Sequence, residues 1–306
     1  YSDIFRRYQT YCRDYSGTRI FKIASGASDY DYEWTEVLMK KVGSMMNAVS
    51  LHYYTVSGWV GSKAPAVGFS EEEYYWCLGK CLGIEPVIQK HLAIMSEYDP
   101  QNRIPLFVDE WGTWWDEEPG TIKGHLYQQN TLRDAFVASL TLDIFHKYSK
   151  RVKMANIAQL VNVLQSVILT DGEKMILTPT YHVFNMFKYH QDAELLDSYI
   201  ETEEIGMGEW KVPNLTESVS LGKDGKIHVT LNNLSVTDSY DIEAVFTETE
   251  IKAVEGTILT NKMDAHNTFD NPDVVRPESF DKVEFAGNNV KFTIPACSVL
   301  HLAIEV

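Results

Sequence analysis

Four short apolar runs in the first half of the chain end in polar or small residues, and those ends hold the side chains with chemistry to offer. They are Ser25-Gly26, His52 with Tyr54, Asp109-Glu110, and Gln159 with Asn162. Glu110 is central. It closes the run Leu106-Phe-Val-Asp and precedes Trp111, so its carboxylate belongs at the mouth of a largely apolar layer. An ionised group in such a place is costly unless donors hold it. Held there, it can act as a nucleophile or general base, with an imidazole and a phenol such as His52 and Tyr54 tuning its charge. The bland alternative is a structural carboxylate paired with a Lys or Arg. Equally bland roles exist for a satisfied core imidazole at His52, a packing ring at Tyr54 and a backbone-capping amide at Gln159. Asp109, one residue before Glu110 on a strand, is expected to point to the opposite face.

The elements that must position these residues follow from hydrophobic spacing. Ile4, Phe5, Tyr8, Tyr11, Cys12 and Tyr15 recur at helical intervals over 1–16, and Gly17 ends the pattern. Strands are expected over 19–24, 48–54, 105–110 and 153–158. Helices are expected over 32–47, about 70–98, 125–148 and about 180–190. Strands separated by helices of this length indicate βα units and a parallel sheet, with functional residues at the carboxyl ends of the strands. Four such units are half of an eight-fold barrel, and an open four-stranded sheet satisfies the spacing equally well.

Beyond residue 193 the pattern changes to short alternating runs, at 218–221, 226–231, 240–246, 251–259, 282–285, 290–294 and 299–304. Turn formers such as Lys223-Asp-Gly225 separate them. Such strands without a convincing helix read as an antiparallel sandwich. The expected division is therefore an α/β part over 1–192 and an all-β part over 193–306.

Composition narrows the function. The chain carries 27 Lys and Arg against 43 Asp and Glu, a formal net charge of −16, which argues against holding a nucleic acid backbone. A neutral ligand such as a sugar suits this charge, and seven Trp and 17 Tyr offer flat faces to sugar rings. No uncharged apolar run is long enough to cross a bilayer, so no membrane partner is expected. Cys12, Cys77, Cys81 and Cys297 lack metal-ligand spacing and are expected to be buried free thiols in a reducing cytoplasm. No phosphate loop and no metal cluster is evident, so neither a metal nor another cofactor is expected.

At the level of motifs the sequence resembles glycoside hydrolase family 51. The segments that carry the resemblance are Ser50-Leu-His-Tyr-Tyr54, Val108-Asp-Glu-Trp-Gly112, Ala155-Asn-Ile-Ala-Gln-Leu-Val-Asn162 and Asp264-Ala-His-Asn-Thr-Phe-Asp-Asn-Pro272. They fall in the family's order and span nearly the whole chain. The resemblance implies a (β/α)8 TIM barrel, of which this chain holds strands five to eight, followed by a C-terminal antiparallel β-sandwich. It implies a retaining α-L-arabinofuranosidase acting on terminal arabinofuranosyl groups of arabinoxylan or arabinan oligosaccharides, in a homo-oligomer. Glu110 matches the family's nucleophile, while His52, Tyr54, Trp114 and Gln159 match residues that line the sugar site. Trp59 is a further candidate, whereas His266, Asn267 and Asp270 read as turn-forming.

One departure matters. The family's general acid/base is a Glu in an Asn-Glu pair, and this sequence has no Asn-Glu dipeptide. A retaining glycosidase needs two carboxyl groups about 5 Å apart. Glu117 and Glu118, on an acidic loop, are weak substitutes. The expectation is that the acid/base and the N-terminal half of the barrel lie upstream, on a separate chain or outside this sequence. A relative acting on a xyloside or β-glucan, and a non-catalytic sugar-binding or assembly subunit, are the alternatives.

Overall fold

The computed structural model describes all residues from Tyr1 to Val306. In chain order the first part runs α1 (Ser2–Gln9), β1 (Ile23–Ser28), α2 (Tyr32–Val42), β2 (Ala48–Thr55), α3 (Glu71–Leu82), α4 (Ile84–Tyr98), β3 (Leu106–Thr113), α5 (Leu132–Lys147) and β4 (Val152–Ile157). A hairpin, β5 (Ile168–Asp171) with β6 (Lys174–Leu177), and α6 (Pro179–Phe187) follow. The chain divides into two compact units. One gathers Tyr1–Tyr54, Gly83–Trp111 and Tyr148–Ile157; the other gathers Thr55–Leu82, Gly112–Lys147 and Ala158–Val306.

In the first unit the strands form a parallel sheet in the order β1-β2-β3-β4. α2 buries Leu38, Met39 and Val42, and α4 buries Val87, Ile88 and Met95. Between them His91 donates from Nε2 to the Asp29 carbonyl and accepts the Thr35 hydroxyl at Nδ1, both at 2.9 Å. Gly26 permits a close approach of β1 to β2. A Cβ there would lie 1.5 Å from the Ser50 carbonyl oxygen, so no other residue fits. At the entry to β4, the Arg151 guanidinium meets the Asp99 carboxylate at 3.1 Å, and both side chains are buried. Asp99 also accepts from the Ile104 backbone N–H at 2.7 Å, and Arg151 Nε donates to the Ile104 carbonyl at 2.9 Å.

The second unit adds β7 (Glu194–Leu195), β8 (Glu204–Met207), β9 (Trp210–Pro213), β10 (Leu215–Leu221), β11 (Ile227–Asn233), β12 (Tyr240–Val245), β13 (Ala253–Thr260), β14 (Glu278–Ser279), β15 (Val283–Ala286), β16 (Asn289–Ile294) and β17 (Ser298–Glu305). Six of these form one antiparallel sheet, β14-β13-β17-β11-β10-β7, and three form another, β12-β16-β15. Leu215, Ile227, Leu231, Val290, Phe292, Ile294, Leu300, Leu302 and Ile304 belong to its apolar core. All seven runs anticipated beyond residue 193 are strands, within a few residues of the expected bounds.

Several expectations change. The helix of 70–98 is two helices, α3 and α4, parted at Gly83. The helix anticipated from 125 begins only at Leu132, because residues 126–130 take no regular structure and hydrogen-bond to 115, 118 and 164 instead. The first strand starts at Ile23 rather than 19, where pairing with Ala48 begins, and Phe21 is left half-exposed beside Phe107. The first helix ends at Gln9. Cys77, Cys81 and Cys297 are buried as expected, but Cys12 is exposed because it lies beyond that shortened helix.

Candidate functional site

β2 and β3 are adjacent strands, and their carboxyl ends bring His52, Tyr54, Asp109 and Glu110 together within the first unit. His52 Nδ1 lies 2.6 Å from Glu110 Oε2. Its other nitrogen, Nε2, lies 3.2 Å from Asp109 Oδ1, at an angle outside hydrogen-bond geometry. The imidazole therefore donates to Glu110, and a second proton on the ring would face Asp109. Both carboxylates and the imidazole are about one-third exposed.

The expectation that Asp109 points away from Glu110 is not met. The register of β3 against β4 shifts between Val108 and Trp111, so strict alternation fails at these two residues. Both then reach the same imidazole. Period-2 reasoning missed Asp109 for this reason, since a bulge leaves no mark in residue type.

Tyr54 is buried and donates its phenol to the Glu110 carboxylate. Burial, then the charge of Glu110, then that hydrogen bond push the phenol far above its ordinary value. It stays protonated and serves as a fixed donor. Glu110 thus accepts from two donors on the neighbouring strand. Such an arrangement holds a carboxylate oriented and partly open to solvent.

In the second unit, Trp114 is half-buried and Trp59 is exposed; their rings meet edge to face at 5.7 Å. The Lys63 ammonium lies 5.4 Å over the Trp114 ring. Asp116 holds this corner, accepting the Lys63 backbone N–H at 2.8 Å and the Ser62 hydroxyl. Trp111 and Trp115 are buried. Gln159 follows a cis peptide bond after Ala158; its backbone groups pair with Val163 and Val167 and the residue is exposed.

Glu117 and Glu118 are occupied by their own loop. Glu117 accepts the Gly124 and Leu126 N–H groups, both at 2.7 Å, and Glu118 accepts that of Gln129. Asn267 bonds Val275 through both backbone groups and also the Leu177 carbonyl. Ala265 and Met263 carbonyls accept the first N–H groups of α5. The motif around His266 therefore closes turns. No group of three or more His, Cys, Asp or Glu side chains has the arrangement of a metal site, and no helix is long and apolar enough to cross a membrane.

Residues 109–298 match the α-L-arabinofuranosidase C-terminal domain family. The chain belongs to the arabinofuranosidases of glycoside hydrolase family 51. An intracellular exo-α-L-arabinofuranosidase of Bacteroides ovatus is 53% identical over 307 aligned residues, which take in all of this chain and 60% of that protein. The crystal structure of the family 51 arabinofuranosidase of Xanthomonas axonopodis pv. citri superposes with a TM-score of 0.97 at 43% identity. It covers 99% of this chain and 62% of its own. The Thermotoga maritima α-L-arabinofuranosidase, solved as an arabinose complex, shares the fold at 22% identity and a TM-score of 0.77. This chain thus spans about 60% of the length of these relatives. Members of the family join a barrel to a C-terminal β domain, in keeping with the parallel and antiparallel sheets found here.

Proposed function

We propose that this chain supplies the nucleophile of a retaining α-L-arabinofuranosidase acting on terminal arabinofuranosyl groups of arabinan or arabinoxylan oligosaccharides. The observation that carries the proposal is Glu110 at the carboxyl end of a parallel strand, held by His52 at 2.6 Å and by the Tyr54 phenol. In this reading, β1 to β4 are strands five to eight of a (β/α)8 barrel. Residues 193–306 form the appended sandwich. Trp114 and Gln159 line the sugar site.

Glu110 attacks the anomeric carbon as the glycosidic bond breaks, and a second carboxylic acid protonates the departing oxygen. That second group then takes a proton from water, which displaces the Glu110 ester and returns the sugar with its original configuration. His52 and Tyr54 hold the Glu110 carboxylate in place before attack. Their protons also stabilise the same oxygen when the ester is cleaved. Asp109 does not supply the second group in this scheme, because it shares His52 with Glu110 from the same strand. The missing Asn-Glu pair favours an acid/base contributed by residues outside this sequence, in the other half of the barrel.

The name of the Bacteroides relative, an intracellular enzyme, favours a cytoplasmic site of action. The family resemblance favours a homo-oligomer, which light scattering on the purified protein tests. The decisive experiment uses the protein expressed from its complete gene. Glu110→Ala is expected to lower turnover of an aryl arabinofuranoside at least about a thousandfold. Azide is expected to restore turnover and yield the glycosyl azide of inverted configuration. Full activity in that variant, or faster hydrolysis of xylopyranosides by the native protein, overturns the proposal.

A further inference from the structure

A buried polar network lies within the second unit, and the reaction scheme above makes no use of it. The Asp134 side chain is completely buried near the start of α5 and receives four hydrogen bonds. Oδ1 accepts the Thr113 hydroxyl at 2.7 Å and the Trp115 indole N–H at 2.8 Å. Oδ2 accepts the Thr131 backbone N–H at 2.7 Å and the Thr131 hydroxyl at 3.0 Å. Two buried amides complete the network. Gln165 accepts the Thr113 N–H at 2.8 Å and donates to the Asp134 carbonyl and the Thr180 hydroxyl. Gln128 accepts the Trp115 N–H at 2.8 Å and donates to the Thr113 hydroxyl at 3.2 Å.

The network grips both neighbours of Trp114 and leaves Trp114 outside it. Thr113 and Trp115 are buried, whereas Trp114 is half-buried and meets Trp59 and Lys63. Extended backbone alternates its side chains, so anchoring residues 113 and 115 on one side fixes the side to which 114 is presented. The Trp114 N–H is held as well, by the Thr55 carbonyl at 3.2 Å. Three successive backbone N–H groups are thus fixed, two of them by buried side-chain amides. Fully satisfied buried networks of this kind hold one geometry. A fold needing only a strand terminus at this point has no use for a buried carboxylate with four donors, because an apolar contact would serve.

We infer that Asp134 is the positioning residue for Trp114, setting the indole platform on which the sugar is received, and that Gln128 and Gln165 act with it. The inference rests on the proposed arabinofuranosidase reading, in which Trp114 lines the sugar site. Asp134 touches no substrate and acts only through residues 113 and 115.

The test compares steady-state kinetics of variants in the protein expressed from its complete gene, with an aryl arabinofuranoside as substrate. Asp134→Asn places an amide group where only acceptors fit. It is expected to raise KM about tenfold with kcat within about threefold, and Trp114→Ala is expected to raise KM similarly. The double variant is expected to be no worse than Trp114→Ala alone, because both changes remove one feature. If Asp134→Asn does not fold, Thr113→Val removes one hydroxyl, the donor to Asp134 and the acceptor from Gln128, and is expected to raise KM, and Thr113→Ser, which keeps the hydroxyl, to restore it. Altered melting temperature with native KM in Asp134→Asn or Thr113→Val overturns the inference, as does full additivity with Trp114→Ala. Native KM in Trp114→Ala overturns instead the placement of Trp114 at the sugar site. Raised KM in that variant with native KM in Asp134→Asn overturns the positioning role alone.

Discussion

Two groups of histidines in this chain occupy opposite environments. His52, in the parallel-sheet unit, is about one-third exposed and faces two carboxylates with its two nitrogens. In the other unit His190, His228 and His301 are buried where β10, β11 and β17 meet the residues after α6, and His146 is half-buried beside them. His228 Nε2 donates to Asp224 at 3.1 Å, and its Nδ1 lies 3.0 Å from His301 Nε2. His190 bonds the Ser220 and Thr230 hydroxyls, and His146 bonds that of Ser218. Tyr189 stacks on both His228 and His301. Burial lowers the His146 and His301 values to about 4, and that of His190 lower still, with the neighbouring histidines adding to it. The downward shifts of His146, His190 and His301 thus belong to side chains that have little or no open face. In this molecule a strongly shifted histidine marks packing, whereas under the proposed function the half-open one between carboxylates is the one that serves chemistry.

If burial separates structural from reactive charge, the largest effect on folding should come from a buried ion pair in the same unit as Glu110. Asp99→Ala leaves the buried Arg151 guanidinium without its carboxylate and the Ile104 N–H without its acceptor. The expected loss is about 3–5 kcal/mol of stability, read by denaturant unfolding. The kinetic constants of the folded fraction are expected to be native. A lowered kcat in that fraction would break the distinction.

His52→Ala should do the reverse. Removing the donor at 2.6 Å from Glu110 is expected to lower kcat/KM about a hundredfold, roughly 2.7 kcal/mol of transition-state stabilisation. Its melting temperature is expected to be close to native, because the side chain is partly exposed and leaves no cavity. Large destabilisation with unchanged kcat/KM would reassign His52 to the structural group.

The difference between the two groups was only half legible in the sequence. Glu110, His52 and Tyr54 could be selected because each closes an apolar run, and the structure brings those three together. The antiparallel strands were legible through alternation and their turn residues. The contact of Asp109 with His52 was not, because it depends on a register shift that no residue type announces. The histidine cluster was equally hidden: His146, His190, His228 and His301 come from four separate elements, and only pairing of β11 with β17 places His228 near His301. Residues 126–130 looked helical because their apolar spacing continues that of α5. Burial of Gln128 against Trp115 takes them out of the helix, a tertiary effect that local pattern does not contain. The hairpins β5–β6 and β8–β9 escaped notice because strands of four residues carry too little alternation to read.

The buried cluster makes its own prediction through proton linkage. An unfolded histidine binds protons near pH 6.5, whereas His146, His190 and His301 resist protonation in the folded state. The unfolded state therefore binds more protons as pH falls, and stability drops from pH 6.5 towards 4. Asp143, buried among Thr216, Thr230 and Asn232, has its carboxyl pushed upward by burial and by Glu217. It takes up its proton earlier in the folded state and offsets part of the loss in the lower end of that window. A net decrease is expected across it, because three such histidines outweigh one carboxyl. Asp224, mostly exposed, and Lys188 are the other charged neighbours of this cluster. Replacing His190 by Gln should flatten the curve, and an unchanged slope would mean that these histidines are not what acid attacks.

The smallest effect concerns the thiols, where the same contrast between burial and exposure holds. Burial raises the Cys81 and Cys297 thiols to about 12 and that of Cys77 higher, so none of them offers thiolate at neutral pH. Cys12 is exposed and lies beyond the end of α1. A disulfide reagent added to the native protein should therefore modify Cys12 rapidly, with the other three following only on unfolding. Mapping the labelled peptide by mass spectrometry identifies the site. Turnover should be unchanged by the labelling, because the Cys12 thiol is exposed and bonds the Tyr8 carbonyl of its own segment. Rapid labelling of Cys77 or Cys81 would show that α3 opens in the native state. Burial would then fail as the criterion that separates inert groups from reactive ones.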